Sequence, residues 1–161
     1  MRGPLLLFAA WALHDIEEAI AFPATCDALA ERSGVEALRM DARQSWAAVG
    51  LMALLVGFAC LRGSRSGGDS RLYRAVTAGL GAHVGTHLLA SVLQRRYTAG
   101  VATALPVMLP GALAACRGLA LDGRPLQGRD WVAGAAILVP AALLCHALVR
   151  LLPARRRPAR L

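Results

Sequence analysis

PLLLFAAWALHDIEEAIAF, residues 4–22, reads as a membrane span that carries His14, Asp15, Glu17 and Glu18 among its apolar residues. The run falls within the ~17–25 residues that cross a bilayer, and Pro4 suits the first turn of a helix. No signal-peptide cleavage pattern follows, and a signal h-region would not tolerate these charges. An Asp at the centre of a span costs roughly 2.5–3.5 kcal/mol on insertion scales, so ionisable groups at this depth point to a functional site. At about 100° per residue, Glu17 and Glu18 lie one turn beyond His14 and flank its direction by about 60° and 40°. These three side chains can converge. Asp15 points about 100° away from His14, toward a neighbour or the headgroups.

The rest of the chain repeats the apolar theme. Of its 161 residues 57% are hydrophobic, with a mean hydropathy of +0.49. A soluble domain of this size lacks the interior volume to hide so much apolar surface, whereas lipid removes that limit. Four further segments are long enough to span: Ser45 to Leu61, Leu72 to Leu93, Thr98 to Ala120 (with Pro106 and Pro110, expected to kink it), and Trp131 to Leu152 around Pro140. The expected architecture is an all-α polytopic transmembrane helix bundle of about five spans over residues 1–152. A basic disordered tail follows at 153–161.

Between the spans, Pro23 to Gln44 reads as a polar connection, with Ala28, Val35, Ala37, Leu38 and Met40 available for a short interfacial amphipathic helix. Gly81 and Gly85 form a small-xxx-small pair that permits close helix approach. Arg117 and Arg150 lie near helix ends, where their stems can snorkel. All 18 basic residues are Arg, and the net charge is +8. The arginines sit in short runs between apolar segments, which fits contact with a lipid bilayer and its anionic headgroups rather than nucleic acid. The cluster Arg155-Arg156-Arg157 favours a cytoplasmic C-terminus for an integral protein of a bacterial-type plasma membrane. Cys26, Cys60, Cys116 and Cys145 form no close pair and read as small hydrophobes.

The third segment supplies a partner for the first. His83 and His87 are four apart, so both imidazoles share a helix face. Thr86 or Ser91 could orient a ring nitrogen. Segments one, three and five cross in one direction, and His14, Glu17, Glu18, His83, His87 and His146 fall at similar depths to within about a turn. His146, beside Cys145, reads as a structural histidine with its hydrogen bonds satisfied.

His14-Asp15-Ile16-Glu17-Glu18 resembles the defining motif of the HXXEE family of small apolar proteins. That family is also marked by a further histidine, here His83 or His87, and by a Tyr-x-Pro-Gly motif. Tyr97-Thr98-Ala99-Gly100 is similar to the latter, with Ala99 where Pro is usual. The resemblance covers residues 14 to 100. It implies a membrane fold and a shared polar site, and carries no reaction with it.

Two carboxylates and two or three imidazoles suit a divalent metal: zinc, iron or manganese. The candidate ligands are His14, Glu17, Glu18, His83 and His87, with Glu17 or Glu18 alternatively serving as a general base. The order His-x-x-Glu differs from the Glu-x-x-His of di-iron bundles, so the likeness to them is geometric only. A metal-free proton relay and a purely structural ion-pair cluster are the other readings. The expected function is a metal-dependent membrane enzyme, hydrolase or oxidoreductase, acting on a hydrophobic small-molecule substrate. The alternatives are a small transporter or channel for protons, metal ions or a small solute, built as a homo-oligomer, and a non-catalytic membrane subunit. No Walker loop, GxGxxG unit, GxSxG elbow or HExxH motif occurs.

Overall fold

The computed structural model describes residues 2–153, so residues 154–161 of the expected tail lie outside the described residues. The described residues form five long helices: α1 Gly3–Ser33, α2 Ala42–Arg65, α3 Arg71–Gln94, α4 Val101–Leu121 and α5 Gly128–Val149. Helices α2 to α5 are each long and apolar enough to cross a membrane. Helix α1 has the length but carries the acidic cluster.

The first helix corrects the sequence reading. It does not end at Phe22 but runs through Pro23 to Ser33. A proline inside a helix removes one intrahelical hydrogen bond, and tertiary packing can override that cost. Pro23 is buried here. The helix stops instead at Gly34, whose left-handed φ of 72° lets its N–H donate to the Ala30 carbonyl at 2.8 Å. The expected amphipathic helix over Ala28 to Met40 is therefore the end of α1 followed by a 3-10 turn, Glu36–Leu38. Helix α2 then starts on a capping box: Asp41 accepts from the Gln44 N–H at 2.8 Å, and Gln44 accepts from the Asp41 N–H at 3.1 Å. Arg150 donates to the Ala37 and Leu38 carbonyls, which ties the 3-10 turn to the end of α5.

Helix α4 takes up Pro106 in a π-helical turn, Ala104–Met108, where the Leu109 N–H reaches back to the Ala104 carbonyl, and Pro110 lies just beyond that turn. The wider turn takes up the residue whose N–H is missing at Pro106.

Helix α1 packs against α2 and α4, while α3 packs against α2, α4 and, most extensively, α5. Leu7, Trp11, Val56, Val76, Leu80, Met108 and Leu119 meet in the core. Leu13, Leu54, Leu89, Val132 and Leu143 face outward, an apolar exterior suited to lipid.

Small residues set the closest crossing, though not the pair expected. A Cβ on Gly85 would meet nothing within 4 Å, and one on Gly81 nothing nearer than 3.7 Å. The tight contact is Gly134 against Ala75 and Gly79, where a Cβ on Gly134 would lie 2.7 Å from the Gly79 nitrogen. Near the same end, Arg74 pairs with Asp130 at 2.8 Å and donates to the Arg124 and Pro125 carbonyls at 2.7 Å each. Asp130 also accepts from the Gln127 N–H at the start of α5.

Gly134→Ala should therefore overpack the α3–α5 crossing and cost ~1–3 kcal/mol. Gly85→Ala should be neutral or stabilise by ~0.5–1 kcal/mol, because it adds helix propensity in open space. Thermal unfolding of both variants in detergent checks this; equal melting temperatures would contradict the crossing.

Candidate metal centre

Four of the five residues singled out in the sequence come together. His14 and Glu18 from α1 meet His83 and His87 from α3, with one ligand atom of each within 4.8 Å of the others. The site lies among the middle turns of both helices. His14 is fully buried and His87 nearly so, while Glu18 and His83 are partly accessible.

Each imidazole is oriented by a second group. The His87 Nδ1 lies 2.9 Å from the Ala99 carbonyl, which can only accept, so this nitrogen carries the proton. The Thr86 hydroxyl spends its one hydrogen on the His83 carbonyl at 2.7 Å, so its oxygen is left to accept from His83 Nδ1–H at 3.2 Å. Thr103 repeats that logic. Its hydroxyl donates to Glu17 at 2.5 Å and accepts from His14 Nδ1–H at 2.9 Å. All three rings thus hold their proton on Nδ1, on the outer side, and all three Nε2 lone pairs point inward. The inner nitrogens lie 3.1 Å apart for His14 and His87 and 2.8 Å apart for His87 and His83. Glu18 closes the set, with its oxygens 3.7 Å from His87 Nε2 and 3.9 Å from His83 Nε2. Ligands held ~2.1 Å from one ion sit roughly 3.0–3.4 Å apart, close to these nitrogen spacings. Four inward lone-pair donors around one point can hold a metal ion.

Glu17 sits apart from that group. One oxygen accepts from the Tyr97 hydroxyl and from the Ala102 N–H at 3.2 Å. The other accepts from the Thr103 N–H at 2.8 Å and from its hydroxyl. The carboxylate therefore caps the N-terminus of α4, where free amides and the helix dipole favour an anion. Burial, and next the bond to Glu17, push the Tyr97 phenol up to about 12, so it remains a donor at neutral pH.

The Tyr97 to Gly100 turn is part of the same construction. Gly100 has φ 85°, and a Cβ there would lie 2.7 Å from His87 Nδ1 and 3.0 Å from His14 Cε1. Only glycine allows both that backbone and that approach. Ala99 presents its carbonyl to His87, while its N–H, which a proline would lack, donates to Thr25 at 3.1 Å.

The remaining expectations resolve individually. Thr86 orients His83, whereas Ser91 pairs with Thr98 at 2.7 Å. His146 stays outside the four-residue group; its ring stacks on Phe22 with centroids 4.7 Å apart, and its Nδ1 has no hydrogen-bond partner among the described residues. Asp15 is buried facing a cavity rather than the headgroups, and its Oδ1 is likewise unpartnered. Sequence reasoning missed Thr103 and read Tyr97 as part of the Tyr-x-Pro-Gly-like motif, without a partner in the site. The HXXEE spacing and the downstream Tyr-x-x-Gly were the available signals, but they do not reveal which helix end Glu17 caps.

Residues 5–115 match the family described as "Protein of unknown function with HXXEE motif", and the chain belongs to that family. No curated protein and no solved structure matches it.

Tyr97→Phe should remove one bond to a charged acceptor and cost ~1.5–3 kcal/mol. Gly100→Ala should cost at least as much, since it strains the backbone and displaces His87. Thermal melts against Gly118→Ala, a glycine with open space around it, provide the measurement; three equal melting curves would dismiss the role given to the turn.

Proposed function

We propose that this member of the HXXEE family is a metal-dependent integral membrane enzyme, a hydrolase or an oxidoreductase, acting on a lipophilic substrate within the bilayer. His14, His83, His87 and Glu18 would hold a divalent ion, with zinc, iron and manganese all compatible with three imidazoles and one carboxylate. The observation that carries this reading is the convergence of three Nε2 lone pairs whose protons are committed elsewhere. A bound ion would supply a Lewis acid able to activate water or dioxygen.

The protein's own residues divide the remaining work. Glu17 is better placed as a positioning residue than as a ligand, because its four hydrogen bonds go to Tyr97, Ala102 and Thr103. Glu18 and His83 face both the cluster and a neighbouring cavity, so they are the ligands a substrate would meet. Glu18 can also take up a proton there. The apolar shell keeps bulk water away and strengthens each polar contact inside it.

Metal analysis of detergent-purified protein tests the proposal. Bound divalent metal should be lost in His87→Ala and Glu18→Gln and kept in His146→Ala. Thr86→Val and Thr103→Val, which remove the outer partners of two imidazoles, should weaken binding by roughly 10–100-fold without abolishing it. Chelator should lower the melting temperature of the wild type and leave His87→Ala unchanged. Metal-free protein that carries protons across liposomes would replace this reading with transport.

A further inference from the structure

We infer that the cavity beside the His/Glu cluster binds a membrane-dissolved lipophile bearing a hydroxyl group, which enters sideways between α3 and α5. The claim that this ligand is the substrate rests on the enzyme reading above; the binding site does not.

The cavity measures about 410 Å³, within the small-molecule range. Trp11, Phe22, Met52, Leu80 and Leu138 give it apolar walls. Among its lining residues are the two described residues that own a buried, unpartnered side-chain polar atom, Asp15 through Oδ1 and the half-buried His146 through Nδ1. Asp15 is 5% exposed. Such atoms are costly to bury unless something hydrogen-bonds them. A carboxylate oxygen accepts, and an imidazole nitrogen donates or accepts, so a hydroxyl can answer either. An anionic head would be repelled by Glu18, and any charged head is expensive at mid-membrane depth. A neutral hydroxyl avoids both costs. Glu18 and His83 line the cavity as well as the cluster, so a bound molecule touches the metal ligands.

The route of entry follows from the helix crossing. Helices α3 and α5 touch at Gly79 and Gly134. One to two turns further on, on the same face of α3, Ala82 and Thr86 line the cavity and are exposed; so are Val139 and Leu143 on α5. Both helices are apolar enough to cross a membrane, so this side opening looks onto lipid chains rather than water.

The probes are dodecanol, dodecane and dodecylamine carrying the same diazirine, photolysed with the full-length protein in lipid nanodiscs and mapped by peptide mass spectrometry. Dodecanol should label cavity-lining peptides of α3 and α5 about tenfold more than dodecane, the worth of one good hydrogen bond. Asp15→Leu should reduce that preference several-fold at unchanged thermal stability, and Ala142→Trp, which fills the cavity, should remove the labelling. Equal labelling by alcohol and alkane, a preference for the amine, or labelling unchanged in both variants would overturn the inference. Metal content measured on the same samples separates the two claims. Metal-loaded protein without selective labelling sinks the ligand site alone, and selective labelling of metal-free protein sinks the enzyme reading alone.

Discussion

Three imidazole nitrogens that turn their lone pairs toward one another at 2.8 and 3.1 Å repel unless a positive charge lies between them. Much else in the structure follows from that constraint. A proton on one inner nitrogen would relieve a single pair and leave the third nitrogen and Glu18 poorly served. A dication serves all four donors at once, and would also hold the Glu18 anion in an apolar setting where it is otherwise costly. The outer partners matter as much as the ligands, because they decide which nitrogen is free. Ala99 contributes a carbonyl, and Thr86 and Thr103 each contribute a hydroxyl whose hydrogen is already used.

The HXXEE motif and the Tyr97 to Gly100 turn meet physically at this point. In the first, His14 and Glu18 face the cluster, and Glu17 turns instead to the start of α4. In the second, Tyr97 holds Glu17, and Gly100 admits His87 and His14 against the backbone. Glu17 thus acts twice: it caps a helix, and through Thr103 it fixes the tautomer of His14. Replacing the usual proline by Ala99 leaves this intact and adds an N–H that reaches Thr25 in the extended part of α1. The continuation of α1 beyond Pro23 is what brings Thr25 within reach.

The bundle, the positions of the last four segments and the convergence of four of the five candidate residues, His14, Glu18, His83 and His87, were legible in the sequence. They depend on hydropathy, helical spacing and depth, which a single chain displays. Other features were not. The i+3 and i+4 positions of Glu17 and Glu18 make them near-equivalent relative to His14, and only the placement of α4 separates their roles. Asp15 was left between a neighbour and the headgroups, because its direction on α1 is clear but what it faces there is not. Pro23 looked like a stop, since local propensity says so, yet packing carried the helix on to Gly34. The glycines that matter for close approach, Gly79 and Gly134, cannot be told from Gly81 and Gly85 without knowing which face of α3 meets α5.

Lipid gives helices no hydrophobic reason to associate, so polar contacts and small-residue packing must hold such a bundle together. Here both devices act on α3, one turn apart. The polar network joins α1, α3 and the start of α4 around the cluster. The small-residue crossing at Gly79 and Gly134, with the Arg74–Asp130 pair nearer the start of α3, fastens α3 to α5 one turn before His83. Beyond that crossing the face of α3 toward α5 opens at Ala82 and Thr86, which are exposed and line the cavity. The cavity lies beside the crossing, with Gly79 and Gly134 in its wall, Glu18 and His83 on its inner side and the exposed Val139 and Leu143 on its outer side. The opening therefore lies next to the crossing, and it places the most accessible side chains of the cluster, Glu18 and His83, beside an apolar space that a membrane solute could enter.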